Sequence, residues 1–303
     1  MNLFMFPGQG SQKVGMGKDA FDFCDSAKNV FLEVDDALSM KMSDLIFNGT
    51  DAQLTSTENA QVALMTVSMA YVKVLEHLGG KIDGFVAGHS LGEYTALCAA
   101  GVISLSDTAK LLWTRGKAMK KCAPSGYGML AIIGLNYSQV EELLKRIHSD
   151  EFIEIANDNS AIQVIVSGSI AGLQIIADAA KEAGAMNTVM LNVSGPFHSS
   201  KMQAAADELR IALENVKFNE PKCPLIANYT AQKETANFKT LLLKQIINKV
   251  RWTESILKAA EYSVTTAIEV GPGRVLTGLV KRITPSMKLV NVNNIESAKA
   301  FIG

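Results

Sequence analysis

Short apolar runs alternate with longer amphipathic segments through most of the chain. The short runs have the length of β-strands, and the longer segments repeat apolar residues at the three- and four-residue spacing of helices. This alternation favours an α/β fold with a largely parallel sheet. The predicted strands are Leu3–Phe6, Phe85–Ala87 and Thr266–Val270, and the predicted helices are Gln61–Leu78, Glu93–Ala100, Ser106–Lys121 and Val275–Ile283. Ser106 and Asp107 are predicted to cap the third of these helices.

The pattern changes between residues 128 and 193, where strand and helix signals follow the order β-α-β-β-α-β. The predicted elements are Met129–Leu135, Ser138–His148, Ile153–Ala156, Gln163–Ser167, Ala171–Ala183 and Asn187–Val193. That order is typical of a ferredoxin-like unit. The sequence therefore predicts two subdomains: residues 1–126 and 196–303 form the parent α/β subdomain, and residues 127–195 form an inserted ferredoxin-like subdomain.

Composition narrows the classes of function. Hydrophobic residues make up 48% and charged residues 19%, which is typical of a globular protein with a substantial core. The net charge of −1 gives no basic excess that would favour nucleic acid or an anionic membrane. The four cysteines show no C-x-x-C spacing, so we expect no disulfide framework, no metal site and a cytoplasmic location. No signal peptide is expected ahead of the first strand, and no segment is predicted to span a membrane.

A G-x-S-x-G motif, Gly88-His89-Ser90-Leu91-Gly92, lies between a predicted strand and a predicted helix. Strand, sharp turn and helix are the context of a nucleophile elbow, in which a strained backbone projects the serine hydroxyl out of the sheet. Such a turn needs small flanking residues, which Gly88 and Gly92 provide. The helix that follows would point its N-terminus at developing negative charge. Ser90 is therefore the candidate nucleophile, and a serine that only caps the helix is the alternative.

A serine nucleophile needs a base within hydrogen-bond reach, and the chain has four histidines. His198 follows a strand end and a Gly-Pro turn, where catalytic residues of α/β folds concentrate. His89 is expected to support the elbow, His77 to lie at a helix C-terminus and His148 to be solvated. His198 is thus the candidate base. No acidic residue flanks it as a marked third triad member, so a serine–histidine dyad and a full triad both stay open.

Arg115 falls within the apolar stripe of the predicted helix Ser106–Lys121. A guanidinium that faces the core is costly unless it is paired. Its partner is either a protein carboxylate or a carboxylate on the substrate, and the planar fork of arginine suits the second.

The glycine-rich loop Pro7–Gln12 follows the first strand, a position that first suggests phosphate binding. The loop fits neither the G-x-G-x-x-G nor the G-x-x-x-x-G-K-[ST] template. Because glycines let the main chain approach closely, its expected role is to donate backbone N–H groups near Ser90.

Five motifs together resemble the malonyl-CoA:acyl carrier protein transacylases. In chain order they are Pro7-Gly8-Gln9-Gly10-Ser11-Gln12, Gly88-His89-Ser90-Leu91-Gly92-Glu93-Tyr94, Arg115-Gly116-Lys117, Pro196-Phe197-His198-Ser199 and Glu269-Val270-Gly271-Pro272-Gly273. The resemblance runs from Leu3 to about Asn293, in the order and spacing of the family. It implies an α/β fold with an α/β-hydrolase-like large subdomain, a parallel sheet and an inserted ferredoxin-like small subdomain, which agrees with the pattern of elements.

The resemblance also implies an active site in which Ser90 is the nucleophile, His198 its base and Arg115 the cation for the malonyl carboxylate. The backbone N–H groups of Gln9 and Leu91 are the implied oxyanion donors. The backbone of Arg251, in the segment Asn248–Trp252, is implied to orient the histidine. Leu91 and Phe197 match the malonyl-selective pattern. The implied reaction moves malonyl from malonyl-CoA to the phosphopantetheine thiol of acyl carrier protein through a malonyl-serine, for fatty acid synthesis. No metal and no cofactor are implied, and a monomer is expected.

The chain departs from the family pattern at two places. Ala161 and Ile162 stand where Pro-Gly is usual, and Lys249 stands where proline is common. Both lie in loops expected beside the site, and Lys249 would affect how His198 is held. An acyl-thioester hydrolase and a trans-acting polyketide acyltransferase use the same serine and histidine, so both stay open as alternative functions.

Overall fold

The computed structural model describes residues 1–303 and contains eleven strands. The strands are β1 Asn2–Phe6, β2 Phe85–Gly88, β3 Tyr127–Ile133, β4 Ile153–Ser160, β5 Gln163–Ser169, β6 Asn187–Met190, β7 Leu225–Ile226, β8 Lys233–Glu234, β9 Val250–Arg251, β10 Thr266–Val270 and β11 Lys288–Val292. The helices are α1 Lys18–Phe23, α2 Asp25–Leu38, α3 Met42–Asn48, α4 Asp51–Thr55, α5 Thr57–His77, α6 Gly92–Ala99, α7 Leu105–Lys121, α8 Tyr137–Arg146, α9 Ile170–Glu182, α10 Gln203–Glu214, α11 Phe238–Ile247, α12 Trp252–Glu261, α13 Val275–Ile283 and α14 Ile295–Ile302. A short 3₁₀ helix spans Ser200–Met202.

The larger sheet has six strands in the order β11-β10-β1-β2-β7-β8. All neighbouring pairs are parallel except β7 with β8 at one edge. β1 lies inside the sheet, and Leu3, Phe4, Met5 and Phe6 are all fully buried. A continuous apolar run of this kind is typical of a parallel strand covered on both faces. The prediction of a largely parallel α/β sheet is confirmed.

The second sheet has five strands in the order β6-β3-β5-β4-β9. Its first four strands pair antiparallel and, with α8 and α9, have the ferredoxin-like arrangement. Leu130, Val166 and Ile176 belong to the separate core between this sheet and its helices. β9 pairs parallel with β4 and comes from residues 250–251, far beyond β6 in the chain. The C-terminal part of the chain therefore covers the open edge of β4.

The predicted bounds of one strand and one helix match those of the structure. Thr266–Val270 and Val275–Ile283 are reproduced to the residue. The long helix α5 begins at Thr57 instead of Gln61, because its first turn is polar. The predicted cap of α7 at Ser106 is wrong: Ser104 is the N-cap, and its hydroxyl accepts the Asp107 N–H at 3.0 Å.

Residues 18–55, for which no elements were predicted, form helices α1 to α4. Phe21, Phe31 and Phe47 pack there with ring centroids 5.1–5.5 Å apart. These rings join the main hydrophobic core. None of the helices combines the length and the apolar character that crossing a membrane requires.

Candidate active site

Ser90 sits on the turn between β2 and α6 with φ at +54°, in the left-handed region that non-glycine residues seldom adopt. A Cβ on Gly88 would lie 1.9 Å from the backbone of Gly92, and a Cβ on Gly92 would lie 2.1 Å from the carbonyl oxygen of Phe6. Both positions therefore require glycine. The predicted strained turn between strand and helix is confirmed.

We expect Gly92→Ala to destabilise the fold and the elbow together. The added methyl group meets the backbone of β1, which cannot move without breaking sheet pairing, so the free energy of unfolding should fall by about 1–3 kcal/mol or more. Gly278→Ala is the matched control, because a Cβ there meets nothing within 4 Å. That control should be neutral or stabilising by about 0.5–1 kcal/mol. Urea unfolding measures both, and equal stability of the two variants would contradict the packing argument.

His198 completes a dyad with Ser90. Its Nε2 lies 2.7 Å from the serine Oγ, and its Nδ1 lies 2.9 Å from the carbonyl oxygen of Gln245. Since a carbonyl can only accept, Nδ1 carries the proton and Nε2 presents a lone pair to the serine hydroxyl. No carboxylate bonds to the ring. Of the two arrangements that the sequence left open, the structure contains the dyad.

The environment keeps His198 neutral. Burial first, and then the charge of Arg115, lower the pKa of His198 from 6.5 to about 3, while the hydrogen bond to the Gln245 carbonyl acts in the opposite direction. A neutral imidazole is the form that can accept a proton from a serine hydroxyl. The ring is therefore in its basic form at neutral pH.

Arg115 on α7 is buried, with 1% of its surface exposed. Its Nη1 donates to Gln61 Oε1 at 2.6 Å, and its Nη2 donates to Gln245 Oε1 and to Ser90 Oγ, both at 3.0 Å. No carboxylate lies within ion-pair distance of the guanidinium. Burial lowers the pKa of Arg115, opposed by the nearby Tyr94 and Glu93. The cation is thus held at the nucleophile by neutral groups alone.

The backbone N–H groups of Gln9 and Leu91 donate no hydrogen bond within the protein. Both residues line the same cavity of about 230 Å³ as Ser90 and its partners. The loop that carries Gln9 lies close to the elbow, because a Cβ on Gly8 would be 2.8 Å from the His89 carbonyl oxygen. Two backbone N–H groups without a partner in the protein therefore belong to residues that line the cavity beside the serine.

Gln245 and Glu93 are site residues that the sequence analysis missed. The Gln245 side chain accepts from Arg115 and donates through Nε2 to the Ser90 carbonyl oxygen at 2.8 Å and to Glu93 Oε2 at 2.5 Å. The backbone carbonyl oxygen of Gln245 also accepts from His198 Nδ1. One residue thus contacts the nucleophile, the base and the cation. The only signal in the sequence was a glutamine among apolar residues such as Leu242 and Ile246, and its full burial is visible only in the structure.

The segment Asn248–Trp252 does contribute a backbone hydrogen bond to His198, from Asn248, but the expectation that Arg251 supplies it is wrong. The Arg251 N–H donates to the Asn228 carbonyl, and its own carbonyl accepts from Ser255 Oγ at 2.8 Å. α11 ends at Ile247, so the carbonyl of Gln245 in its last turn has no partner within the helix and is free to accept from the ring.

The remaining histidines and the departures from the family pattern lie around this centre. His89 bonds Asn159 Oδ1 at 2.8 Å and so connects the elbow to β4, His77 ends α5, and His148 is exposed. Ala161 and Ile162 form the turn between β4 and β5. Lys249 Nζ lies 3.7 Å from the ring centroid of Tyr137. No group of three or more His, Cys, Asp or Glu side chains is arranged to hold a metal ion.

Known proteins similar to this chain show the class of enzyme to which it belongs. The acyl transferase domain family matches residues 3–300. The malonyl CoA-acyl carrier protein transacylase of Bacillus subtilis is 40% identical over 303 residues, covering 99% of this chain and 95% of the relative. The chain belongs to the family of malonyl CoA-acyl carrier protein transacylases, which are acyltransferase enzymes.

Two solved structures show the same fold. The acyl-carrier-protein-S-malonyltransferase from Bartonella henselae superposes with a TM-score of 0.96 at 45% identity, covering 99% of this chain and 98% of that one. A malonyl-transacylase in complex with its type II PKS acyl-carrier protein superposes with a TM-score of 0.94 at 36% identity, and the match covers 98% of this chain and 97% of that one. The predicted fold class and family are confirmed.

Proposed function

We propose that the protein transfers malonyl from malonyl-CoA to the phosphopantetheine thiol of an acyl carrier protein, through a malonyl ester on Ser90. The observation that carries the proposal is Arg115. A buried guanidinium with no carboxylate partner, 3.0 Å from the nucleophile, is suited to a substrate that brings its own carboxylate. No bound cofactor is needed, because both thiols arrive with the substrates.

In the first half-reaction the malonyl carboxylate binds Arg115, and the thioester carbonyl lies over Ser90. His198 Nε2 takes the serine proton as Oγ attacks the carbonyl carbon, a step worth roughly 10²–10⁴ in rate. The N–H groups of Gln9 and Leu91 stabilise the oxyanion, and each contributes about 2.7–4 kcal/mol. The C–S bond then breaks, His198 returns the proton to the sulfur, and CoA leaves.

The second half-reaction reverses these steps with a different thiol. His198 removes the proton from the carrier-protein thiol, whose sulfur attacks the malonyl-serine carbonyl. Collapse of the tetrahedral intermediate transfers malonyl to sulfur and returns the proton to Ser90. A covalent intermediate shared by two thiols gives ping-pong kinetics.

Intact-mass measurement after brief exposure to equal malonyl-CoA and acetyl-CoA tests the proposal. We expect one malonyl adduct on the native protein and none on Ser90→Ala. A predominant acetyl adduct would contradict the proposed role of Arg115.

The hydrolase alternative predicts a different result in the same experiment. Water would cleave the acyl-serine, so free CoA would accumulate without a lasting adduct. Malonyl transfer to purified fatty acid and polyketide carrier proteins then identifies the acceptor that is used. We also propose that the protein is a monomer, which size-exclusion chromatography tests.

A further inference from the structure

Glu93 is a buried carboxyl group that the reaction steps above do not use. It lies in the first turn of α6, three residues after the nucleophile, and is 0% exposed. Its Oε1 accepts the Asn228 N–H at 2.9 Å, and its Oε2 accepts from Gln245 Nε2 at 2.5 Å. Both oxygens therefore face N–H donors, an arrangement that favours the ionised carboxylate because a protonated oxygen would have no acceptor.

The orientation of the Gln245 amide is fixed by its neighbours. Arg115 can only donate, so the atom that faces it at 3.0 Å must be the amide oxygen. The Ser90 carbonyl can only accept, so the atom that faces it at 2.8 Å must be the amide nitrogen. The amide dipole thus points its negative end at the cation and its positive end at Glu93.

We infer that Glu93 acts through Gln245 as the indirect counter-ion of Arg115 in the free enzyme. Glu93 thereby determines how tightly the site binds an acyl group that carries a carboxylate. The inference rests on the proposed function. Glu93 is a positioning residue in this scheme, since it touches neither substrate nor the reacting atoms. A malonyl carboxylate on Arg115 and the Glu93 carboxylate compete for the same buried positive charge.

This competition has a definite pH dependence. Burial raises the pKa of Glu93 to about 7, opposed by the bonds from Asn228 and Gln245 and by the charge of Arg115. The other groups facing it are Glu234 on β8, which raises the pKa further, and the neighbouring Tyr94, which stays neutral. A bound malonyl carboxylate adds negative charge and raises the pKa of Glu93 again. Malonyl binding therefore takes up a proton and weakens as pH rises through about 7.

Binding to Ser90→Ala, which cannot be acylated, tests this directly. The quantity measured is the ratio of the Kd for acetyl-CoA to the Kd for malonyl-CoA, in which the titration of the CoA phosphates cancels. We expect the ratio to fall roughly tenfold for each unit by which malonyl raises the pKa of Glu93, as pH rises from well below to well above 7. A pH-independent ratio would overturn the inference.

Two further variants in the Ser90→Ala background assign the effect. With Glu93→Gln the ratio should be independent of pH and remain at its low-pH value, because the competing charge is gone. With Glu234→Gln, the matched control, the ratio should still fall as pH rises. A fall that persists in Glu93→Gln would overturn the inference.

Proton uptake gives a readout that does not depend on the folding of Glu93→Gln. Calorimetric binding to Ser90→Ala near pH 7, in two buffers of different ionisation enthalpy, should show greater proton uptake with malonyl-CoA than with acetyl-CoA. Equal uptake would overturn the inference. Failure to bind malonyl-CoA at any pH would instead contradict the proposed function itself.

Discussion

Arg115→Ala is expected to abolish the preference for malonyl-CoA over acetyl-CoA. Removing one partner of a buried charge pair costs about 3–5 kcal/mol, which corresponds to a loss of about 10²–10⁴ in kcat/KM for malonyl-CoA. Acetyl transfer should persist, because a neutral acyl group no longer leaves a buried guanidinium without a partner. Steady-state kinetics with both substrates measures the change.

The matched control is Arg115→Lys, which keeps the charge but loses the planar fork. It should retain some preference for malonyl-CoA while weakening its binding. If Arg115→Ala lowered the rates with both acyl groups equally, Arg115 would act on the nucleophile through its 3.0 Å contact with Ser90 and not on the substrate.

His198→Ala is expected to lower the rate of serine acylation by roughly 10²–10⁴ with little change in KM for malonyl-CoA. In the proposed mechanism substrate binding depends on Arg115 and the cavity walls, whereas the histidine acts on the serine proton. The double variant with Ser90→Ala should be no slower than Ser90→Ala alone, because the two groups act as a unit. His148→Ala is the control histidine, and a comparable loss there would contradict the assignment.

The pH profile of the acylation step gives an independent check on the same histidine. Because the pKa of His198 is lowered to about 3, the base stays unprotonated as pH falls through 6.5, and its contribution is lost only near its own pKa. Arg115→Ala removes one cause of the lowered pKa, so the acid limb should move to higher pH. Rapid-quench acylation rates measure this, and an acid limb near 6.5 in the native protein would contradict the buried, neutral histidine.

Ser90 and His198 could be proposed from the sequence because each lies on a turn that its neighbouring residues specify. Ser90 lies between two glycines that close backbone contacts require, and His198 follows a Gly-Pro turn. Arg115 was found because a cation interrupts an apolar stripe. Each of these signals lies within a few residues of the side chain concerned.

Gln245 and Glu93 could not be placed in the same way, since their roles arise only when distant elements meet. Glu93 looks like an ordinary acidic residue in the first turn of a helix, and nothing local indicates that Asn228 lies 2.9 Å away. Arg251 was misassigned by the same limitation, because the carbonyl that reaches His198 depends on where α11 ends.

The secondary-structure elements divide in the same way into those that local sequence predicts and those that depend on distant contacts. β1, β2, β10 and the elements of residues 127–193 were predicted from their own apolar runs, whereas α10, α11, α12, β11 and α14 were not. β9 has two residues and exists only because β4 offers an edge to pair with. Three of the four helices of residues 18–55 have only five to seven residues, too few to show a helical period, whereas the 14-residue α2 was missed although Ala27, Val30, Phe31 and Val34 follow helical spacing. Their stability comes from packing on α5 and not from local preference.

The position of β1 has a consequence for how the protein is made. Asn2 pairs with Thr266, so β1 cannot be enclosed on both edges until more than 260 further residues have been synthesised. At about 5–20 residues per second, this takes roughly 13–50 s. During that time Leu3–Phe6 remains an apolar segment with an unpaired edge, so the nascent chain is exposed to edge-to-edge aggregation until β10 arrives.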